Sequence, residues 1–479
     1  MNKKILLINP PQEYNVKVGI EDDFIEIIGY YPPLGLLYIG TVLKNLGYEV
    51  KILDCVPMKI GYSELRTEIK NFEPYMVGIT TYTMSMHDVL LCINIAKEIN
   101  PATITVLGGH HPTLYPRESL RYKNVDFIIH GEGEEALVEL LNSLDRNAGT
   151  EELAEIKGLG FFRYNKEFLN SRKAYVKDLD SLPIPDRSLL PSEIYMSIVG
   201  KNKMLATVMS SRGCPFQCTF CFTPNKTYRS RSNQNIINEI NYLIELGFKE
   251  VFFFDDLFAL KAAKVIEFSN ELINNNIKID WSFRGRISSI TPELIQFVKK
   301  TGVHRIQFGI ESGMDKTLKR IKKGTNTKNI REVIQMCKKN GIQTVGNFII
   351  GLPDETKEDI EETLKFSRTI GLTYGQYSVL MPFPFTEIYT EALEKGIITH
   401  DFWKDFVDDP IGRSKDFKMQ YWEKEVSAEY LFKTVARAFK KFYFRPVTVI
   451  NKLKEIENFQ EFKNAIVGAL SVFKFNPKV

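Results

Sequence analysis

The feature that most constrains the fold of this chain is a repeated pattern. Short apolar runs alternate with helix-length segments, and this alternation occurs in two successive series. Alternation of this kind predicts parallel sheets covered by helices. In residues 1–145 the predicted strands are Lys4–Asn9, Val50–Leu53, Met76–Thr80, Thr103–Leu107 and Phe127–Ile129. In residues 201–395 they are Leu205–Ser210, Glu250–Asp255, Ile279–Arg284, Arg305–Ile310, Gln343–Ile350 and Tyr374–Leu380. The sequence therefore predicts an α/β chain, with a Rossmann-like parallel sheet followed by a partial (β/α)6 barrel whose active site lies at the carboxyl ends of the strands.

Two further segments lack this alternation. Residues 146–200 read as a linker, extended by prolines around Leu182–Pro185 and containing a small β element near residues 158–175. Residues 396–479 read as a helical C-terminal region whose aromatic and basic side chains are interleaved at Phe439–Arg445. That region either closes the barrel or makes weak contact with an anionic membrane surface. We favour closure, because Phe442, Tyr443 and Phe444 are consecutive and a helix spreads them around its axis.

Composition excludes several classes of protein. At roughly 150 residues per domain, 479 residues predict about three domains. The chain is 44% hydrophobic and 25% charged, which excludes a disordered chain, and a net charge of +4 gives no reason to expect nucleic acid as a partner. No run reaches the length of a membrane span, and the apolar run Ile5–Ile8 is too short for a signal peptide. Three of the six cysteines are crowded together, which suits a reducing cytoplasm and a metal site.

The crowded cysteines have the spacing Cys214-x3-Cys218-x2-Cys221. Cysteine thiolates are the usual ligands of a [4Fe–4S] cluster, and three of them leave one iron open to another ligand. Zinc is the competing metal, although a structural zinc site has a fourth Cys or His and the next histidine downstream is His304. Three buried free cysteines are the remaining alternative.

The cysteine spacing, with aromatic Phe220 directly before the last cysteine, resembles the radical S-adenosylmethionine (radical SAM) superfamily. The resemblance implies that the open iron binds the methionine part of S-adenosylmethionine and that reductive cleavage releases a 5′-deoxyadenosyl radical. The protein would place the cofactor and exclude water, while the radical chemistry belongs to the cofactor.

The strand ends after the cysteines carry polar groups in the order that the same family shows. The resemblance implies that they bind S-adenosylmethionine, with an arginine available for its carboxylate and small residues near its adenine. For the aspartates the alternative is a solvated pair at the end of a strand. The predicted S-adenosylmethionine-binding residues are Phe220, Asp255, Asp256, Arg284, Glu311, Ser312, Asn347 and Gly351.

The loops after the strands of the first series contain Asn9-Pro10-Pro11, Gly108-Gly109-His110-His111 and Gly131-Glu132-Gly133-Glu134. These motifs resemble those of the cobalamin-binding domain of B12-dependent radical SAM enzymes. The alternative to cobalamin binding by His110 and His111 is that both are loop residues with local hydrogen bonds. The Asp-x-His-x-x-Gly pattern, whose histidine binds cobalt in other cobalamin proteins, is missing, so we expect no protein histidine on the cobalt. The predicted cobalamin-binding residues are Asn9, Pro10, Pro11, Thr81, Gly108, Gly109, His110, His111, Gly131, Glu132 and Gly133.

Together these resemblances imply a cytoplasmic, cobalamin-dependent radical SAM enzyme that methylates an unactivated carbon of a small molecule, lipid or peptide. It would need an external one-electron donor such as flavodoxin or ferredoxin. The alternatives are a radical SAM oxidative cyclase or rearrangement enzyme, and a cluster-and-cobalamin protein for electron transfer or sensing that lacks enzymatic turnover.

Overall fold

The chain folds into two compact units. The structure is a computed structural model that describes residues 3–16, 30–171, 173–195, 205–258, 260–446, 448–450, 468–469, 472–473 and 475. The first unit holds the described residues of 1–17 and 30–196 together with 402–418, and the second holds those of 197–401 and 419–479.

The first unit contains a seven-stranded sheet in the order β2-β1-β3-β4-β5-β6-β7. Strands β1 to β5 are parallel, as predicted, while β6 and β7 are antiparallel. The strands are β1 (Lys4–Asn9), β2 (Glu49–Asp54), β3 (Met76–Thr80), β4 (Ile104–Gly108), β5 (Phe127–Ile129), β6 (Leu159–Arg163) and β7 (Lys166–Leu169). The helices are α1 (Leu34–Asn45), α2 (Tyr62–Phe72), α3 (Met86–Ile99), α4 (His110–Leu114), α5 (Pro116–Arg121), α6 (Gly133–Asp145) and α7 (Thr150–Glu155).

The continuous apolar run in β1 explains its central position. Ile5, Leu6, Leu7 and Ile8 are all at most 2% exposed, as required of a strand that is buried on both faces of a parallel sheet. Because β1 pairs with β2 on one side and β3 on the other, the strand order changes direction there. The carboxyl ends of β1 and β3 therefore form the crevice in which ligands of doubly wound sheets bind.

The second unit contains a six-stranded parallel sheet in the order β15-β14-β13-β12-β11-β8. This succession of βα units is the predicted partial barrel. A small antiparallel ribbon, β9 (Ser211–Arg212) with β10 (Arg229–Ser230), lies outside that sheet. The six strands are β8 (Leu205–Val208), β11 (Glu250–Phe253), β12 (Asp280–Gly285), β13 (Val303–Glu311), β14 (Gln343–Ile350) and β15 (Tyr374–Val379). The helices that follow these strands are α8 (Asn233–Glu245), α9 (Ala262–Asn274), α10 (Pro292–Lys300), α11 (Asp315–Arg320), α12 (Thr327–Lys339), α13 (Lys357–Thr369) and α14 (Glu387–Glu394).

Two helices after the barrel, α15 (Phe402–Asp408) and α16 (Pro410–Arg413), belong to the first unit. The Tyr122 hydroxyl donates to the carbonyl of Val407 over 2.5 Å, and a ring nitrogen of His87 lies 2.5 Å from the Ser414 hydroxyl. The helical stretch after residue 395 is thus divided between the two units.

The last long helix, α17 (Ala428–Tyr443), packs on β15 in the second unit. Phe439 and Phe442 are buried against Tyr377, and the Tyr443 hydroxyl donates to the carbonyl of Gly375 over 3.1 Å. Phe444 remains 46% exposed, since only part of the aromatic run falls on the packed face. None of the helices in the described part of the chain has the length and hydropathy needed to cross a bilayer.

Candidate active site

The cysteine loop follows β8, the first strand of the barrel. The ribbon formed by β9 and β10 closes this loop at its base. Gly213 begins it with φ +85°, and a Cβ there would lie 2.4 Å from the carbonyl oxygen of Thr227, so only glycine fits. The amide of Cys214 then donates to the carbonyl of Asn225 over 3.3 Å. Backbone contacts thus fix both ends of the loop.

Asp255 holds the start of the same loop. Its carboxylate accepts three hydrogen bonds of 2.7 Å, from the amide and hydroxyl of Ser210 and from the amide of Ser211. Burial raises the pKa of Asp255 to about 6, although these hydrogen bonds oppose the shift. Asp256 is exposed and accepts from the amide of Gly213 over 3.3 Å. Both aspartates support the loop, and Asp256 has the more accessible carboxylate.

The three thiols share one environment. Cys214 and Cys218 are half-buried and Cys221 is exposed, and all three are free. Burial raises the pKa of Cys214 and of Cys221, and the charges of the neighbouring thiols raise it further. Among the described residues, no three His, Cys, Asp or Glu side chains converge to bind a single metal ion. A [4Fe–4S] cluster takes one thiolate per iron, and three accessible thiols on one short loop fit it.

Arg286, just beyond β12, lies against this loop. Its Nη1 is 3.8 Å from Cys218 Sγ, its guanidinium carbon is 3.6 Å from the ring centre of Phe216, and its Nη2 donates to the carbonyl of Lys323. It is not among the residues predicted to bind S-adenosylmethionine, although it lies two positions after Arg284. Nothing in the local sequence places it beside a cysteine that precedes it by 68 positions.

Glu311 ends β13 in a left-handed conformation, with φ +68°. It forms a buried ion pair of 2.7 Å with Lys323, whose ammonium lies 5.8 Å from the ring centre of Phe220. Non-glycine residues in this region of φ carry strain of about 1 kcal/mol or more, which is often retained at functional sites. Two of the predicted S-adenosylmethionine-binding residues, Glu311 and Phe220, are thus linked by a lysine that the sequence did not single out.

The ends of β13 and β14 are joined through Glu355, which sequence reasoning also missed. Its carboxylate accepts from the Ser312 hydroxyl over 3.1 Å and from the amides of Gly351 and Leu352 over 3.2 and 3.0 Å. Burial raises the pKa of Glu355 to about 7. Ser312 also contacts the hydroxyl of Thr363 at 3.1 Å. The polar atoms of Ser312 are therefore engaged within the protein, and Gly351 contributes its amide to the same network.

Asn347 and Arg284 lie on the other face of the sheet from the buried core. The Gln307 amide donates to Asn347 over 3.3 Å and to Gln376 over 3.4 Å, and Gln307 alternates with the core residue Phe308. The guanidinium of Arg284 lies 4.2 Å from the ring centre of Phe254. This face thus offers amide groups and a cation, both of which can bind a polar ligand.

In the first unit, the predicted cobalamin-binding residues at β1 meet those at β3 and β4. The Asn9 amide donates to Asp54 over 2.7 Å, and buried Pro10 and Pro11 follow it. The amide of Thr81 donates to the carbonyl of Gly108 over 2.8 Å. These contacts lie at the carboxyl edge of the sheet where the strand order reverses.

The two histidines there differ in their environments. His110 is exposed and stacks on Tyr82 with ring centres 5.4 Å apart. His111 is fully buried, with ring nitrogens 3.1 Å from the Thr83 hydroxyl and 3.4 Å from the Tyr122 hydroxyl, and burial lowers its pKa to about 3. Gly109 has φ +102°, and a Cβ there would be 3.0 Å from the amide nitrogen of Thr81. In the structure the ring of His111 is thus hydrogen-bonded locally, to the hydroxyls of Thr83 and Tyr122.

Gly131 and Glu132 precede α6, and Gly133 is its first residue. A Cβ on Gly131 would lie 2.2 Å from the carbonyl oxygen of Ala174, and the Glu132 carboxylate accepts from the amide of Val176 over 2.8 Å. Gly131 and Glu132 therefore anchor residues 174–176, which follow β7, and the role of Gly131, Glu132 and Gly133 towards cobalamin stays a prediction.

Comparison with protein families assigns both units. The model of the radical SAM superfamily matches residues 208–367, and the model of the B12 binding domain matches residues 22–141.

Individual proteins agree with these matches. An uncharacterized methyltransferase from Pyrococcus horikoshii is 32% identical over 477 residues, 98% of each chain. An anaerobic magnesium-protoporphyrin IX monomethyl ester cyclase from Rubrivivax gelatinosus is 31% identical over 79% of this chain and 69% of its own. The radical S-adenosylmethionine methyltransferase TsrM from Kitasatospora setae, solved with cobalamin and a [4Fe–4S] cluster bound, has the same fold at TM-score 0.65 and 18% identity, over 83% of this chain and 76% of that one.

Proposed function

The chain belongs to the radical SAM superfamily and carries a B12-binding domain, which makes it a cobalamin-dependent type of radical SAM enzyme, and from this premise we propose that it transfers a methyl group to an unactivated carbon. The observation that carries the proposal is the similarity to a methyltransferase over 98% of both chains, which includes both units. We propose a small molecule as the substrate, with a lipid or peptide as the alternatives.

An oxidative cyclisation is the second candidate function. It is favoured by the relative of 31% identity whose name describes a cyclase. The two reactions differ in whether a methyl group leaves S-adenosylmethionine, so their products distinguish them.

We assign the cluster to Cys214, Cys218 and Cys221. When bound, the cluster supplies one electron for cleavage of S-adenosylmethionine, and cobalamin supplies a carrier for the methyl group. The protein's own contribution is positional: Asp255 and the ribbon of β9 and β10 hold the thiols at the end of the first barrel strand. Support of the thiols by backbone hydrogen bonds limits the conformations of the loop, and preorganisation of this kind reduces the cost of binding.

For S-adenosylmethionine we propose Phe220 and the strand ends from Asp255 to Gly351, and for cobalamin the loops after β1, β3, β4 and β5. We propose an external one-electron donor such as flavodoxin or ferredoxin, because the exposed Cys221 brings the proposed cluster to the surface of its unit. A cytoplasmic location is proposed because all six cysteines are free.

The test uses full-length protein reconstituted anaerobically with iron, sulfide and cobalamin. It is incubated with dithionite, methyl-labelled S-adenosylmethionine and a small-molecule extract of the source cells. Methyl transfer through cobalamin should give S-adenosylhomocysteine and a labelled extract component, both dependent on cobalamin, together with 5′-deoxyadenosine. Formation of 5′-deoxyadenosine without S-adenosylhomocysteine would instead support the cyclase.

The cysteine assignment is tested with the same assay. Replacing Cys214, Cys218 or Cys221 with alanine should abolish 5′-deoxyadenosine formation, because each removes one ligand of the cluster. Cys337→Ala, a buried cysteine of α12, is the matched control and should retain both the iron and the activity. Formation of 5′-deoxyadenosine at the parent rate by any of the three variants would contradict the assignment.

A further inference from the structure

Arg286 makes three contacts that fix its guanidinium beside the cysteine loop. Nη1 lies 3.8 Å from Cys218 Sγ, the guanidinium carbon lies 3.6 Å over Phe216, and Nη2 donates to the carbonyl of Lys323. A Cβ on Gly324 would be 3.1 Å from Nη2, so the glycine leaves room for this cation. The side chain is half-buried and is held by the cysteine loop and by the segment that follows α11.

We propose that Arg286 is a positioning residue that donates a charge-assisted hydrogen bond to the Cys218 thiolate and thereby raises the reduction potential of the cluster. This inference rests on the proposed assignment of the three cysteines to a [4Fe–4S] cluster. It goes beyond that assignment by giving one arginine a role in how readily the cluster accepts its electron.

The physical reason is electrostatic. Reduction adds one electron to a cluster that three thiolates already make electron-rich, so a fixed positive charge stabilises the reduced form more than the oxidised form. Hydrogen bonds to the ligating sulfurs and burial are established means of setting the potentials of such clusters. Because Arg286 is half-buried, solvent screens its charge less than it would screen an exposed cation.

The geometry requires arginine rather than any cation. The planar guanidinium stacks on Phe216 while it directs one nitrogen to the sulfur and another to the carbonyl of Lys323. A lysine ammonium is a point charge on a flexible stem and cannot make the stack and both polar contacts together. Arg286→Lys should therefore keep the charge nearby but lose its fixed position.

The experiment is a potentiometric titration of the reconstituted full-length protein with dithionite as electron donor, followed by electron paramagnetic resonance of the reduced cluster. A hydrogen bond to a charged group is worth roughly 1.5 kcal/mol or more, so Arg286→Met should lower the ratio of reduced to oxidised cluster about tenfold at a fixed potential. For one electron this corresponds to a negative shift of about 59 mV. Arg286→Lys should shift less, and Lys299→Met, which removes an exposed charge on α10, should titrate as the parent does.

Each outcome decides the proposal. Arg286→Met with full iron content and the parent potential overturns it. If that variant binds no iron, Arg286→Lys and Phe216→Leu decide: negative shifts support the proposal, and parent potentials in both overturn it. Absence of a cluster signal from the parent protein itself would contradict the cysteine assignment instead, which keeps the two failures distinct.

Discussion

A single carboxylate, that of Asp255, supports the backbone from which the cysteine loop begins. It accepts from two amides and one hydroxyl at 2.7 Å and is only 1% exposed, so water cannot replace a lost partner. Buried polar groups without partners cost about 1–3 kcal/mol each. The geometry of the cysteine loop thus depends strongly on one side chain that lies 34 residues or more from every cysteine it supports.

We predict that Asp255→Asn destabilises the loop. Both backbone amides donate to Oδ1 and the Ser210 hydroxyl donates to Oδ2, so an NH2 group in place of Oδ2 removes the acceptor of that hydroxyl, and an NH2 group in place of Oδ1 opposes both amides. The expected result is a loss of about 1–3 kcal/mol in the free energy of unfolding and a lower iron content after reconstitution, measured by denaturant titration and iron analysis. Asp416→Asn, at an exposed position, is the control. Parent iron content in the Asp255 variant would refute the role.

At the scale of elements, the turn after β14 depends on α17. Gly351 has φ +83°, and a Cβ there would lie 2.6 Å from a terminal carbon of the buried Leu431. The predicted S-adenosylmethionine-binding turn and the C-terminal helix are therefore packed together without space for a side chain. This contact and the burial of Phe439 and Phe442 support the expectation that the helix closes the edge of the barrel.

Gly351→Ala should destabilise the protein by about 2–4 kcal/mol, as the sum of left-handed strain and overpacking. Gly396→Ala is the matched control, since Gly396 has φ +66° and a Cβ there would meet no atom within 4 Å, and it should lose only the strain of about 1–2 kcal/mol. In a Leu431→Ala background the cost of Gly351→Ala should fall to that of the control. Equal denaturation midpoints for the two glycine variants would show that packing on Leu431 is unimportant.

Buried acids and buried histidines make the free energy of unfolding of the molecule depend on pH in opposite directions. Burial raises the pKa of Asp255 to about 6 and that of Glu355 to about 7, so the folded state holds protons that the unfolded state has released. Their contribution is present at low pH and is lost as the pH rises through about 4 to 7. Burial lowers the pKa of His111 to about 3, and this contribution is lost as the pH falls below about 6.5. The two effects belong to different units.

Glu355→Gln isolates the acid effect. The amide is neutral at every pH, so the stability of this variant relative to the parent should increase between pH 5 and pH 7.5. Denaturant titrations at several pH values measure this difference. Glu332→Gln, on the exposed side of α12, should give a curve parallel to that of the parent. A difference between Glu355→Gln and the parent that does not change with pH would contradict the assigned pKa.

Both sheets could be predicted from the sequence, because the alternation of apolar runs and helical segments is a local pattern. The predicted strands β1, β3, β5 and β14 begin and end at the same residues as the observed strands, and the partial barrel is confirmed. Cysteine spacing likewise identified the family, since the three ligands lie within one loop. The assignments of individual residues to S-adenosylmethionine and cobalamin remain predictions.

The polar groups that support the site could be identified only from the tertiary structure. Arg286 contacts Cys218, which is 68 residues away in the sequence, and Glu355 contacts Ser312, which is 43 residues away. A local sequence pattern does not indicate which residues meet over such separations. Residues 402–418 belong to the first unit because buried Trp403, Phe406 and Val407 contribute to an apolar face, and such a face does not specify in advance which unit covers it. Local periodicity encodes which surface of an element is buried, whereas the partner of that surface is selected by the packing of the whole chain.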